Sequence, residues 1–214
     1  KSNNFVLKQT QNVLLVDVVY EGLFKNSFRF SKKSEIEEFL LSNLFEILKL
    51  FKVLNSFEKN EYSNTYDVIN EFKNKKIDNI FLILSLVFPR TTIIQARSNY
   101  QSNSQEKRAF AVELLDNILN SEIKNSVIPI LEEVSLSKRI THYSKTYTLD
   151  EYNQQQYFKK ILTDELHPLV LRLSLMYELG KNKNVLFKED LQSLTIHTHT
   201  DIKETAKWAL NQFK

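Results

Sequence analysis

Apolar residues recur three and four positions apart over much of this chain, the period of a helix with one buried face. The clearest stripe is Phe39, Leu40, Leu44, Ile47, Leu48, Phe51 and Leu54, with Glu37, Glu38, Glu46, Lys49 and Lys52 largely outside it. Ser34 stands three residues ahead of Glu37, the spacing of a capping box, so a helix is predicted to start there. Upstream, Phe5, Val6, Val13, Leu14, Val16, Val18 and Val19 crowd together between Phe5 and Phe24. Their β-branched members leave helix and strand in competition, and helix is the reading adopted. A second long helix is predicted from Tyr66 to Phe88, closed by Pro89. Thr91 to Tyr100 is a short one. Glu106 to Leu119, burying Phe110, Ala111, Leu114, Leu115 and Ile118, pairs with Glu122 to Val134 as an antiparallel hairpin. The Ser-, Thr- and Lys-rich insert from Ser135 to Thr148 reads as a flexible loop. Helix resumes over Asp150 to Leu162, with Tyr157, Phe158, Ile161 and Leu162 facing inward. Pro168 to Leu179, Phe187 to Leu194 and Asp201 to Phe213 are the last helices. Pro168 in a first turn and Gly180 just past an end follow the usual asymmetry.

Composition strengthens the all-α reading. Only two glycines and three prolines occur in 214 residues, against average usage of about 7% and 5%. The 42% apolar content is enough for a substantial core. Cysteine is absent, which removes disulfides and thiolate metal sites and agrees with a reducing, cytoplasmic setting. The formal charge is only +3, with basic residues interspersed among acidic ones, so the electrostatic footprint of a nucleic-acid binder is weak. The longest apolar stretch, Ile80 to Phe88 with Ser85 interrupting it, falls well short of the roughly 18 to 20 residues that span a bilayer. Lys1 to Thr10 lacks the apolar region of a signal peptide. With Lys1 first, the chain is expected to be a piece of a longer protein.

One motif recurs: a basic residue, a small residue two or three places on, and a leucine seven places on. Arg108 precedes Ala111 and Leu115, Arg172 precedes Ser174 and Leu179, and Lys203 precedes Ala206 and Leu210. The starting points lie 64 and 31 residues apart, so the first interval is about two of the second. Stacked helical hairpins give such a period, because no pair buries its apolar face alone. The small residue lets helices approach and the leucine fills their shared core. The basic residue is read as a hydrogen bonder at an edge, toward Asp116 or Glu178, rather than a catalytic group.

At these residues the chain resembles HEAT-type repeats: His167 to Arg172 continuing through Tyr177-Glu178-Leu179-Gly180 looks like the family's second helix, and Asp201 to Leu210 like another copy. Ile80 to Phe88, Ile93 to Ser98 and Lys107 to Leu119, above all Ala111 to Leu119, resemble more narrowly the soluble region that follows the membrane domain in bacterial ADP/ATP translocase-like transporters. This likeness covers roughly Asn70 to Lys214. It implies a HEAT-like α-solenoid of stacked antiparallel helix pairs over 65–214, with 1–64 an N-terminal helical segment that matches the pattern poorly. It also implies a regulatory or scaffolding module at the inner face of a membrane, with a membrane domain upstream and sometimes a cyclic-nucleotide-binding domain nearby. The family's transport residues lie in its membrane portion, so none carries over.

Candidate chemistry is thin. His197 and His199 form a His-x-His pair and are the weak metal candidates, with Asp201, His167 or His142 as a third ligand. They sit in a Thr-rich turn, and no metal is expected. Glu37-Glu38, Glu132-Glu133 and Asp150-Glu151 pair carboxylates, but adjacent residues diverge on a helix, and charge near helix starts explains two of the pairs. Glu113 and Asp116 share a face without a nucleophile or a glycine-rich phosphate cradle. No catalytic residue and no cofactor is expected. The expected function is binding a protein, or another part of the parent chain, on a surface the sequence leaves open, and no obligate oligomer is implied. The alternative is a nucleic-acid binder of the DNA glycosylase-like HEAT kind, using Lys73, Lys75, Lys76, Lys107, Arg108, Lys159, Lys160, Lys181, Lys183 and Lys207. Tyr100, Tyr143, Tyr147 and Tyr152 are its plausible stacking residues, while Trp208 is assigned to a core position.

Overall fold

A computed structural model describes residues 13–32, 34–57, 61–148, 153–165 and 167–214. Among them every regular element is helical, with no strand. Eleven α-helices follow one another: α1 (Val13–Lys25), α2 (Ser34–Ser56), α3 (Ser63–Ser85), α4 (Arg90–Tyr100), α5 (Gln105–Ile118), α6 (Ser121–Leu131), α7 (Leu136–Ser144), α8 (Gln154–Thr163), α9 (Leu169–Lys181), α10 (Lys188–Leu194) and α11 (Thr200–Asn211). A 3-10 turn, Val185–Phe187, precedes α10. None of these helices is long and apolar enough to cross a membrane. The predicted contributions of Phe5 and Val6, of the Asp150-Glu151 pair and of Tyr152 fall outside the described residues.

The chain forms two compact units, one of residues 1–49 with 73–149 and the other of 50–72 with 150–214. In the first, the stripe on α2 is buried as its period requires, with Ile36, Ile47 and Leu48 fully enclosed. Ile80 to Leu84 of α3 are buried all round, which is what a continuous apolar run demands. Each such side chain contributes about 1.5–3 kcal/mol by leaving water. Two polar knots lock the arrangement. Asp17 of α1, itself buried, accepts from Lys76 Nζ at 2.7 Å and Asn79 Nδ2 at 2.6 Å, both on α3. Asn43 of α2 donates to the Lys76 carbonyl at 2.7 Å. On α4, Arg97 grips Asp78 with two hydrogen bonds of 2.6 and 2.5 Å, and Arg90 covers the Phe24 ring at 4.2 Å while donating to the Phe24 carbonyl at 2.7 Å.

In the second unit Phe57, Tyr62, Phe158 and Phe187 form an edge-packed aromatic cluster, with ring centroids 4.8 Å apart for Tyr62 and Phe158 and 5.2 Å for Phe57 and Phe158. Glu178 of α9 is buried and accepts the first backbone N–H groups of α3, from Asn64 at 2.8 Å and Thr65 at 2.9 Å, together with the Thr65 hydroxyl at 2.5 Å. It thus caps α3 from another helix, a carboxylate where the helix dipole is positive.

Several expectations are corrected. The Ser135 to Thr148 insert is not a flexible loop: Ser135 caps α7 by accepting from the Lys138 N–H, and Tyr143 is buried with its hydroxyl donating to the Ser126 carbonyl at 2.7 Å. A polar composition hid two aromatic anchors. Gly180 does not end a helix. It lies buried within α9 against Ala209 of α11, and the stop falls at Lys183, whose φ of 49° lets Asn184 N–H reach the Leu179 carbonyl at 3.0 Å, the six-to-one bond of a Schellman end. Ser27, with φ 53°, ends α1 in the same way. Pro168 is the N-cap of α9 and not part of its first turn. At the start of α2 it is Glu35, not Glu37, that reaches back, accepting the Lys32 N–H at 3.0 Å. Phe110, expected inside, is 44% exposed.

The two glycines are predicted to respond oppositely to alanine. A Cβ at Gly22 meets nothing within 4 Å, whereas one at Gly180 falls 2.6 Å from the Ala209 Cα. Gly22→Ala should raise unfolding free energy by about 0.5–1 kcal/mol. Gly180→Ala should lower it by about 1–3 kcal/mol despite better helix propensity. Urea unfolding midpoints check both, and equal signs would show that propensity rather than the helix crossing governs.

Candidate functional site

The first unit carries a half-open cleft of about 140 Å³. One wall is α2, whose Glu37, Leu40, Leu41 and Leu44 repeat at helical spacing; the other is α6, with Glu122, Ile123, Ser126, Val127 and Ile130; Ile80 of α3 completes the lining. Most of these side chains are buried, while Leu41 is 38% exposed. Asn120 starts α6 by accepting the Ile123 N–H, which sets the register that turns Ile123, Val127 and Ile130 to one side.

Helix α7 braces the walls from behind. Tyr147, just past its end, meets Phe45 of α2 edge-on at 5.3 Å and lies 3.4 Å from the Ser126 hydroxyl of α6. Tyr143 holds the Ser126 carbonyl, and burial pushes its phenol's pKa well above the usual value, so it remains a hydrogen-bond donor. The space between α2 and α6 is therefore fixed by fitted side chains. The carboxylates of Glu37 and Glu122 have no ion-pair or hydrogen-bond partner among the described residues. The cleft is apolar inside and doubly acidic among its polar lining groups.

The chemistry singled out in the sequence is dispersed. His197 Nδ1 accepts the His199 backbone N–H at 3.0 Å, and its Nε2 lies 3.6 Å from Glu165. His199 Nδ1 is 4.0 Å from Asp201. With Nδ1 of His197 occupied, the pair cannot chelate through both δ nitrogens. His167 packs on Tyr157 and His142 on Tyr143. Among the described residues no three His, Asp or Glu side chains form a group that could hold a metal.

Two of the repeated basic residues, Arg108 and Arg172, find other partners than expected. Arg108 binds Glu133 at 2.5 Å and the Ser102 carbonyl at 2.8 Å, while Asp116 pairs with Lys124 at 2.6 Å. Arg172 is buried and donates to the Leu162 carbonyl at 2.9 Å. Burial pulls its pKa down, opposed by the charges of Glu165 and Asp164. Glu178 serves α3 instead. Trp208 is not in the core: 39% exposed, it stacks on Tyr177 at 4.8 Å and 12°. Of the candidate stacking tyrosines, Tyr143 is buried, Tyr147 is engaged as described, and Tyr100 packs on Phe81 at 5.5 Å. The sequence named Glu122 only as the start of a helix, and Glu37 as a capping residue and as half of a carboxylate pair with Glu38, without joining the two. Leu41, Ser126 and Val127 carried no signal, since their meeting depends on how α2 and α6 are spaced.

Set against family models, curated proteins and solved structures, the chain matches none. Within it, one titration is diagnostic. Burial, with Arg139 nearby as the second cause, pushes the Lys73 ammonium down to about 8 from its usual 10.5. Between these values the unfolded chain binds more protons, so stability should rise as pH climbs from about 8. Above about pH 10 the trend reverses, because burial holds the Tyr20 and Tyr143 hydroxyls protonated in the folded protein while the unfolded phenols ionise. Urea unfolding between about pH 8 and 10 should show the rise in the wild-type chain and no rise in Lys73→Met, with the fall at higher pH kept in both. An undiminished rise in the variant would assign it to another group.

Proposed function

We propose that this chain is a non-catalytic interaction module, a HEAT-like α-solenoid that binds a protein or another part of its own parent chain through the cleft between α2 and α6. The carrying observation is that cleft: a braced apolar recess of about 140 Å³, the size of one anchor side chain rather than the roughly 300–1,000 Å³ of a small-molecule pocket. Anchors of this kind dominate protein interfaces. The repeat reading is supported by the burial of Ala111, Leu115, Leu179 and Ala206 at the recurring positions, and by the packing of α9 on α11 at Gly180. A cytoplasmic scaffold attached to transporter-like membrane helices is the setting that the sequence resemblance favours.

Nucleic-acid binding is the weaker reading. Lys76, Arg108, Lys159 and Lys207 face Asp17, Glu133, Asp190 and Glu204 within 4 Å, and the exposed Tyr177–Trp208 stack is the observation in its favour. Duplex affinity that falls steeply with salt would promote it. For the module reading, a benzophenone side chain placed at Leu41 of the full chain in its native cells should, on irradiation, give a discrete protein adduct that the same group at Ile196 does not. Ile196 is the comparison because it is 87% exposed and apolar. Adducts of the same size and yield from both positions would sink the reading.

A further inference from the structure

We infer that the cleft selects a basic amphipathic segment, one that seats a single large aliphatic or aromatic side chain in the recess and sets lysine or arginine against Glu37 and Glu122. The inference rests on the interaction-module reading and specifies its partner. Volume limits the anchor: an apolar cavity of about 150 Å³ takes one benzene, so a recess of about 140 Å³ takes one leucine, isoleucine or phenylalanine side chain. Lining chemistry limits what surrounds the anchor. Ile123, Val127 and Leu44 offer no hydrogen bonds, and Ser126 has its hydroxyl turned to the Glu122 carbonyl at 3.3 Å. What remains polar is two carboxylates without a counter-charge among the described residues.

Charge complementarity therefore decides between occupants. An acidic segment would place like charges together, while a cationic one supplies the missing counter-charge and speeds encounter. Both walls are helices, and the lining positions 37 to 44 and 123 to 130 each run about two turns, some 10 Å. A groove of that length accepts an amphipathic helix laid along it, with its anchor inside and its basic residues against the two glutamates.

The test uses the full chain with labelled Ile, Leu and Val methyl groups, titrated with an amphipathic leucine–lysine peptide and with its leucine–glutamate counterpart. The lysine peptide should shift the methyl signals of Leu41, Ile123 and Val127, and the glutamate peptide should not. Replacing the peptide's anchor leucine by glutamine should abolish the shifts. Glu37→Lys with Glu122→Lys should weaken the lysine peptide about tenfold and move the preference to the glutamate peptide. If that variant loses helicity, Glu37→Gln with Glu122→Gln gives the same reading as lost selectivity without reversal. Equal binding of the two peptides, or a preference untouched by these substitutions, overturns the inference while leaving an adduct at Leu41 intact. Silence of the cleft methyls with both peptides also overturns it. So do shifts that follow the chain's own concentration, since the occupant is then a second copy.

Discussion

The structure depends on a constraint set by α2 and α3. Each is 23 residues long, neither contains glycine or proline, and both carry more apolar surface than water tolerates. A helix apolar on several sides must be covered on several sides. In the first unit that cover comes from α1, with its buried Tyr20, and from α4 and α6; in the second it comes from the aromatic side chains of α8 and of the turn before α10. Helix propensity alone would make these elements marginal in water, so the packing is what holds them.

Apolar cover has no preferred register, and buried polar groups provide one. Asp17 can be desolvated only where Lys76 and Asn79 meet it, and Glu178 only where the start of α3 offers its N–H groups. Removing one member of such a set strands a buried charge at a cost of about 3–5 kcal/mol, although replacing a whole pair by apolar residues is often neutral. These contacts therefore do more to exclude other alignments than to raise stability. Two of the three repeated basic residues are likewise engaged: Arg108 and Arg172 are spent on Glu133 and on carbonyl groups.

Helix existence was legible in the sequence because it rests on local rules. The stripe on α2, the start of that helix at Ser34 and the stop near Pro89 all appear at or close to their predicted places. Errors arose wherever a tertiary contact overrode the local rule. Gly180 looked like a terminator, but its missing side chain serves the approach of α11. Ser135 to Thr148 looked like a loop, but Tyr143 and Tyr147 find α6 and α2. Trp208 looked like core by its repeat position, yet it lies on the surface against Tyr177. The cleft was not legible at all, since Leu41 and Val127 are 86 residues apart and nothing in either segment specifies the other.

That blindness has a physical origin in how the recess is held open. Protein interiors close-pack, so a void between two helices persists only if something prevents their collapse. Here the separation of α2 from α6 is maintained by aromatic side chains of α7 and of the turn after it, with Tyr147 touching Phe45 on one wall and Ser126 on the other, while Tyr143 fixes the Ser126 backbone. Shape is thus supplied by the segment that the sequence marks as least structured, and charge by two glutamates that look like ordinary helix-start residues. Neither property belongs to the residues that form the apolar recess. A cleft assembled from a spacer, two walls and two acidic lining residues leaves no motif, because each contributor satisfies its own local rule and the recess arises only in their arrangement.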